Sequence, residues 1–192
     1  MQIADAMQFL HMANIVHRDL KPSNVFVAET EDGTPVVKLL DFGLAKILQG
    51  DEQATSFCGT PEYMAPEILN DAGHAFPVDW WALGILTYEM IVSFPPFYTG
   101  GRDPTKMYEL IKKKDVFFPD AKKHGIAMSD ECKDFISCCL KKSPTERLGS
   151  NGGLEEILKH PWFADLDPQK MFDKEYTPEY IPKLGKSVFD VS

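Results

Sequence analysis

Two aspartates, a lysine and an asparagine lie in loop-like segments at a spacing that could support chemistry. Asp19, Lys21 and Asn24 fall within six residues, and Asp41 follows seventeen residues after Asn24. Carboxylate and amide oxygens are hard ligands of the kind that Mg²⁺ prefers. Each residue also has a simpler interpretation when taken singly, since aspartates form turns, asparagines cap helices and lysines are solvated surface charges. A chemical interpretation therefore depends on the whole set.

Four short segments contain these residues and give them a recognisable order. They are residues 17–24 (HRDLKPSN), 41–43 (DFG), 59–63 (GTPEY) and 65–67 (APE). An isolated DFG would mean little, but all four at this spacing are not expected by chance. The chain resembles the C-terminal lobe of eukaryotic-type serine/threonine protein kinases, in which such segments recur. The resemblance covers residues 1–163 and continues more loosely through the tail.

The resemblance implies transfer of a phosphoryl group from ATP, which depends on positioning and charge neutralisation more than on covalent help. Asn24 and Asp41 would hold Mg²⁺ and, through it, ATP. Asp19 would orient the substrate hydroxyl and accept its proton. Lys21 would contact ATP and stabilise charge on the transferred phosphoryl group. Phe26 would form the floor beneath the adenine.

Further residues are assigned supporting roles by the same resemblance. Thr60 would hydrogen-bond to Asp19 and Lys21 as part of the catalytic machinery. Together with the Lys-Pro-Ser of residues 21–23, this threonine indicates serine and threonine as the phosphate acceptors. His17 and Phe42 resemble hydrophobic spine residues and are expected to pack.

Three charged residues are expected to hold the lobe together. Glu67 would form a buried ion pair with Arg147, and removing one partner of such a pair is strongly destabilising. Asp79, at the start of an apolar helix, would anchor the backbone of the catalytic loop, which is residues 17–24.

Within the protein kinase family, the chain resembles the AGC group. It rests on residues 56–63 (SFCGTPEY), 79–84 (DWWALG) and 147–149 (RLG). In that group the residue at Ser56 is phosphorylated by an upstream activating kinase. Arg18 and Lys46 match the basic pocket for the phosphate, so phosphorylation would order residues 44–67. The alternative is an unmodified loop serine.

Substrate preference is suggested by two acidic positions. Glu62 and Glu89 match residues that contact arginine upstream of the phosphoacceptor in basophilic members. Ser23 departs from this pattern, since many basophilic relatives carry glutamate there, and this puts a strict arginine preference in doubt. Glu89 could instead be a buried structural acid.

Composition narrows the classes of partner. The formal net charge is -9, from 20 basic and 29 acidic residues, which argues against nucleic acid and favours basic protein substrates. The apolar run of residues 80–92 is 13 residues long and contains Glu89, so it is too short to span a membrane. No signal peptide is evident, and the four cysteines lack zinc-site spacing. We therefore expect a cytoplasmic or nuclear protein with reduced thiols and no membrane partner.

Periodicity predicts a mainly α fold, a helical bundle with a short β-hairpin beside the catalytic loop. Helices are predicted at residues 1–14, 78–92, 105–113, 129–140 and 154–159, and hairpin strands at 25–27 and 36–40. Residues 1–163 would form the kinase lobe. Residues 164–192 would form part of an AGC-type tail, extended on the surface, with Pro178, Tyr180, Pro182, Phe189 and Asp190 as its markers.

The small lobe of a kinase has no counterpart in these 192 residues. The sequence contains no glycine-rich phosphate loop, no strand lysine in a Val-Ala-Ile-Lys-like setting and no helix with its glutamate partner. We therefore expect little or no activity from the chain alone. Two hypotheses remain: part of an active kinase, or a lobe-only, pseudokinase-like binding module. The intact Asp19, Asn24 and Asp41 favour the first.

Overall fold

The computed structural model describes residues 1–30, 33–101, 103–173 and 175–176, and most of its regular structure is helical. Its helices are α1 (Gln2–Met12), α2 (Pro66–Leu69), α3 (Pro77–Val92), α4 (Pro104–Lys113), α5 (Ala121–His124), α6 (Asp130–Cys139), α7 (Gly153–Leu158) and α8 (Pro168–Phe172). The five predicted helices are confirmed within two residues at each end. The sequence missed α2, α5 and α8, which have only four or five residues and so too few turns to show a period.

Four short strands form two antiparallel pairs that frame the catalytic loop. Strands β2 (Val25–Glu29) and β3 (Pro35–Leu39) make the predicted hairpin, with Val27 opposite Val37. The second pair, β1 (Ile15–Val16) and β4 (Lys46–Ile47), was not predicted. It clamps the residues just before the HRDLKPSN segment to those just after DFG, so it fixes the relative position of the two segments.

Helix α3 runs through the hydrophobic core and is buried along most of its length. Trp80 and Trp81 are 1% and 0% exposed. The helix packs closely on α6 because Gly84 has no side chain: a Cβ added there would lie 2.6 Å from the Cβ of Cys139. Buried Cys139 and Cys132 are packing residues of α6, and burial raises the pKa of both thiols.

No described helix combines the length and apolar character needed to cross a membrane.

The tail differs from the expectation where it is described. Residues 168–172 form α8, so the start of this segment is helical and not extended. Proline at the first helical position favours such a start, because its fixed φ suits a helix and its missing N–H would have no partner there. The tail markers between Pro178 and Asp190 lie outside the described residues.

Lys142 lies at the edge of the core, with its ammonium against two aromatic rings. Its ammonium lies 4.9 Å from the ring centre of Trp81 and 4.4 Å from that of Phe97, and it has no hydrogen-bond partner among the described residues. Burial lowers the pKa of this lysine to about 8, while the charge of Asp115 acts in the opposite direction. The two aromatic faces also favour the charged form, so they offset part of the cost of burial.

The stability of the protein should therefore rise with pH near Lys142's titration range. Above pH 8 the folded state releases this proton while the unfolded lysine, with a pKa near 10.5, still binds it. Between pH 7 and 9.5, wild type should gain about 1 kcal/mol in unfolding free energy relative to Lys142→Met, a modest figure because the side chain is only partly buried. Urea unfolding of both proteins at each pH measures this. If the difference in unfolding free energy between wild type and Lys142→Met did not change with pH, the prediction would be wrong.

Candidate active site

The catalytic loop begins where β1 ends and is anchored to the core by Asp79. The carboxylate of Asp79, in the first turn of α3, accepts hydrogen bonds from the backbone N–H groups of His17 and Arg18, each at 2.9 Å. His11 on α1 lies 2.8 Å from the same carboxylate. Arg18 has a φ of +67°, in the left-handed region that non-glycine residues seldom occupy. The bonds to Asp79 therefore hold a turn that the sequence does not otherwise favour.

The side chain of Asp19 is the centre of the site. It is 5% exposed, and its Oδ1 accepts hydrogen bonds from the hydroxyl of Thr60 at 2.7 Å and from the Thr60 N–H at 3.1 Å. Its Oδ2 accepts from the amide of Asn24 at 3.0 Å and pairs with the ammonium of Lys21 at 2.8 Å. Lys21 also donates to the hydroxyl of Thr60 at 2.9 Å. The structure thus brings together all three residues that the sequence assigned to catalysis.

The electrostatics keep Asp19 ionised. Burial by itself would raise the pKa of its carboxyl. The hydrogen bonds from Lys21, Thr60 and Asn24, with the charge of Lys21, outweigh burial and hold the pKa below its usual value. The site therefore presents an oriented carboxylate at neutral pH.

Asn24 and Asp41 are brought close by the backbone. The carbonyl oxygen of Asn24 accepts a 2.9 Å bond from the N–H of Leu40, the residue before Asp41. The Asn24 amide nitrogen donates to Asp19, so the amide oxygen is the atom that would bind a cation. Asp41 has a φ of +59°, is exposed and accepts a bond from the Gly43 N–H at 3.0 Å. One carboxylate and one amide oxygen fit the few protein ligands that Mg²⁺ takes.

The aromatic residues near this site differ in burial. His17 is fully buried and meets the ring of Phe42 edge-on, with ring centres 5.3 Å apart. Phe42 is 49% exposed, so only one side of it is packed. Phe26 on β2 is 52% exposed and leaves an open apolar surface beside the loop. That surface could receive a flat ring.

Around Ser56 the structure brings one of the two expected cations into contact. Arg18 donates to the Ser56 hydroxyl at 2.7 Å and to the Leu44 carbonyl at 2.6 Å. Lys46 instead pairs with Glu52 at 2.7 Å. A lysine forms a stronger hydrogen bond with a carboxylate than with an uncharged hydroxyl. Without a phosphate on Ser56, Lys46 is therefore expected to pair with Glu52.

The two substrate-recognition candidates are both half-buried, and one of them has a partner within the lobe. The hydroxyl of Tyr63 donates to Glu89, and burial together with this carboxylate raises the pKa of the tyrosine. Glu62 directly precedes Tyr63 in the 3-10 turn Pro61–Tyr63. The sequence did not indicate the Tyr63 contact. Glu89 is therefore both a structural acid and a candidate for substrate contact.

Arg147 connects α2 to the start of α3 and to the residues that follow α6. Its guanidinium donates to both carboxylate oxygens of Glu67 on α2, at 2.7 and 2.9 Å. It also donates to the carbonyls of Pro77 at 2.8 Å and Lys141 at 3.2 Å. Arg147 is 0% and Glu67 7% exposed. Each of the three guanidinium nitrogens of Arg147 thus donates to an acceptor within the protein.

Sequence reasoning missed His11, Glu52 and Tyr63. No local pattern marks Glu52, because Lys46 could have faced either Ser56 or Glu52, or Tyr63, because its partner Glu89 is distant in the chain. The signal for His11 was available in retrospect, since it lies on the inner side of a helix that precedes the loop.

Comparison with known proteins agrees with this geometry. A model of the protein kinase domain family matches residues 1–163. "Serine/threonine-protein kinase YPK1" of Saccharomyces cerevisiae is 40% identical over 184 residues, which are 95% of this chain and 25% of that protein. "Serine/threonine-protein kinase gad8" of Schizosaccharomyces pombe is 40% identical over 95% of this chain and 30% of its own length. "Ribosomal protein S6 kinase alpha-6" of Homo sapiens is 38% identical over 96% and 23%, respectively.

The chain thus spans about a quarter to a third of the length of these relatives. The site around Asp19 and the family match over residues 1–163 lead to one assignment. The chain belongs to the protein kinase family, and its similarity lies with the serine/threonine kinases of the AGC group.

Proposed function

We propose that this chain forms the large catalytic lobe of a protein kinase that transfers the γ-phosphoryl group of ATP to serine and threonine hydroxyls. The observation that carries the proposal is the carboxylate of Asp19, held by Thr60, Lys21 and Asn24. A carboxylate held in this way can receive a proton from a hydroxyl placed against it.

Each residue of the site has a definite task in this reaction. Asn24 and Asp41 would hold Mg²⁺, which when bound neutralises charge on the phosphates of ATP. Asp19 orients the acceptor hydroxyl and takes its proton. Lys21, whose ammonium is 2.8 Å from the carboxylate of Asp19, contacts ATP and stabilises negative charge on the transferred phosphoryl group. Thr60 keeps both in place, and Phe26 supports the adenine.

A basic protein substrate fits the charge of the chain. Glu62 lies in the 3-10 turn Pro61–Tyr63, and the hydroxyl of Tyr63 donates to Glu89 on α3. The net charge of the chain is -9. Because Glu89 already accepts from Tyr63 and position 23 is an uncharged serine, we expect a moderate and not a strict preference for arginine.

The proposal is tested by measuring phosphoryl transfer to a basic peptide, both for the chain alone and for the chain fused to the small lobe of a relative such as YPK1. We expect no transfer by the chain alone and magnesium-dependent transfer by the fusion. A folded fusion that binds ATP but transfers nothing would refute the proposal. It would favour a lobe-only binding module, which has no need of Asp19.

Phosphorylation of Ser56 by an upstream kinase should raise the activity of this fusion. The new phosphate would pair with Arg18, already 2.7 Å from the hydroxyl, and draw Lys46 away from Glu52. Ser56→Ala should lower kcat/KM of the phosphorylated fusion about tenfold, the equivalent of one charge-assisted hydrogen bond. Thr55→Ala, at the exposed neighbouring position, is the control. Equal activity of both variants would exclude this role for Ser56.

A further inference from the structure

A cavity of about 210 Å³ lies away from the residues assigned to catalysis. It is bounded by residues 73–75, which follow α2, and by part of residues 144–151, which precede α7. Gln53, Glu67 and Pro77 complete the lining. None of these residues belongs to the ATP or Mg²⁺ site, so the cavity needs an explanation of its own.

Two buried polar atoms in its lining have no hydrogen-bond partner among the described residues. They are Nε2 of His74, a residue only 4% exposed, and the hydroxyl of Ser150. Buried polar side chains nearly always have a partner in the protein or in ordered water. The cavity has room for about seven waters, so a polar ligand could replace several of them.

The walls are held by bonds that do not involve these two atoms. The backbone N–H and C=O of His74 pair with those of Ala54, both at 2.8 Å. The Ser150 N–H donates to the Arg147 carbonyl at 3.0 Å, and the Asn151 amide donates to the Thr145 carbonyl at 3.2 Å. The cavity is therefore formed before any ligand enters, which lowers the entropic cost of binding.

The charge of the lining selects a neutral ligand. Glu67 is paired with Arg147 at 2.7 Å, so neither leaves an unbalanced charge on the wall. Burial, followed by the charge of Arg18, lowers the pKa of His74, so its ring is neutral at pH 7. A neutral imidazole and a hydroxyl together offer both a donor and an acceptor.

We propose that this cavity binds a small neutral carboxamide, whose carbonyl oxygen and N–H₂ group pair with Ser150 and His74. Its volume is below the roughly 300–1,000 Å³ of pockets for drug-sized molecules, so the ligand is small. The site bridges the chain around Ala54, just before Ser56, and the loop around Arg147. A bound carboxamide should therefore also slow hydrogen exchange of the Ala54 and His74 amides.

Titration of the full 192-residue chain with nicotinamide, followed by the NMR signals of ¹³C-labelled histidine rings, tests the proposal. We expect a saturable shift of the His74 signals with a Kd of about 1 mM, typical of a ligand with few atoms. Nicotinate has the same ring but a charged carboxylate, and it should bind at least tenfold more weakly. N-acetylglutamine methylamide tests whether an amide on a peptide stem binds better than a free one.

His74→Phe and Ser150→Ala should each weaken nicotinamide at least tenfold, read from the remaining ring or backbone signals. His124→Phe, at an exposed position, should not. If His74→Phe fails to fold by circular dichroism, Ser150→Ala decides alone. The proposal is overturned by the absence of a saturable shift, by equal binding of nicotinate, or by unchanged affinity in Ser150→Ala.

Discussion

Asp19→Asn should reduce kcat of the chain fused to a small lobe by roughly 100- to 10,000-fold, the usual contribution of a positioned general base. The substitution preserves the shape of the side chain, and its amide oxygen can still accept from Thr60. It removes the negative charge that would take the proton, and it leaves Lys21 without its counter-ion. The KM for ATP should change little, because the proposed metal ligands are Asn24 and Asp41. Steady-state kinetics at saturating Mg²⁺ give both values.

The control for Asp19→Asn is Asp51→Asn, at an exposed turn position between β4 and Ser56. It changes the net charge by the same amount and should leave kcat unchanged. If Asp19→Asn retained more than a tenth of the wild-type kcat, Asp19 would not be the proton acceptor. A loss that appeared equally in ATP binding would instead indicate a collapsed site.

Arg147→Met should cost about 3–5 kcal/mol of unfolding free energy, because it leaves the buried Glu67 carboxylate without its partner. It also removes the donors to the Pro77 and Lys141 carbonyls. The double substitution Glu67→Leu with Arg147→Met should recover much of this loss, since no unpaired charge is then buried. Urea unfolding followed by tryptophan fluorescence measures each variant.

Lys159→Met is the matched control, since Lys159 pairs with Glu155 across one turn of an exposed surface. It should cost no more than about 0.5 kcal/mol. If Arg147→Met were as mild as Lys159→Met, the pair with Glu67 would not be a main support of the lobe. A double variant no more stable than Arg147→Met would indicate that the loss comes mainly from the bonds to the Pro77 and Lys141 carbonyls.

Local pattern predicted the long elements well. Residues 78–92 form a long apolar run and residues 129–140 span about three turns, so both helices are visible in the sequence, and the structure places α3 and α6 there. The pair of β1 and β4 joins residues about thirty positions apart and contains two residues a strand, so neither alternation nor a turn signal marks it. The residues around Asp19 could be named because residues 17–24 and 41–43 resemble the corresponding segments of protein kinases.

Side-chain partners within the site were harder to predict. Lys46 could have faced Ser56 or Glu52, and only the geometry decides between a hydroxyl and a carboxylate. Tyr63 and Glu89 lie 26 positions apart, on a 3-10 turn and on α3. Nothing in their neighbours along the chain indicates that they meet. The cavity beside His74 likewise arises from three separate segments and has no sequence signature.

Because the backbone N–H groups of His17 and Arg18 donate to Asp79, the position of the catalytic loop depends on a residue of the core. Asp79 and Gly84 belong to the same rigid helix, and Gly84 sets how closely that helix approaches α6. Any enlargement at the Gly84–Cys139 contact would tilt α3 and carry the loop with it. A larger side chain at position 84 should therefore also affect the placement of Asp19, although neither Gly84 nor Cys139 belongs to the site.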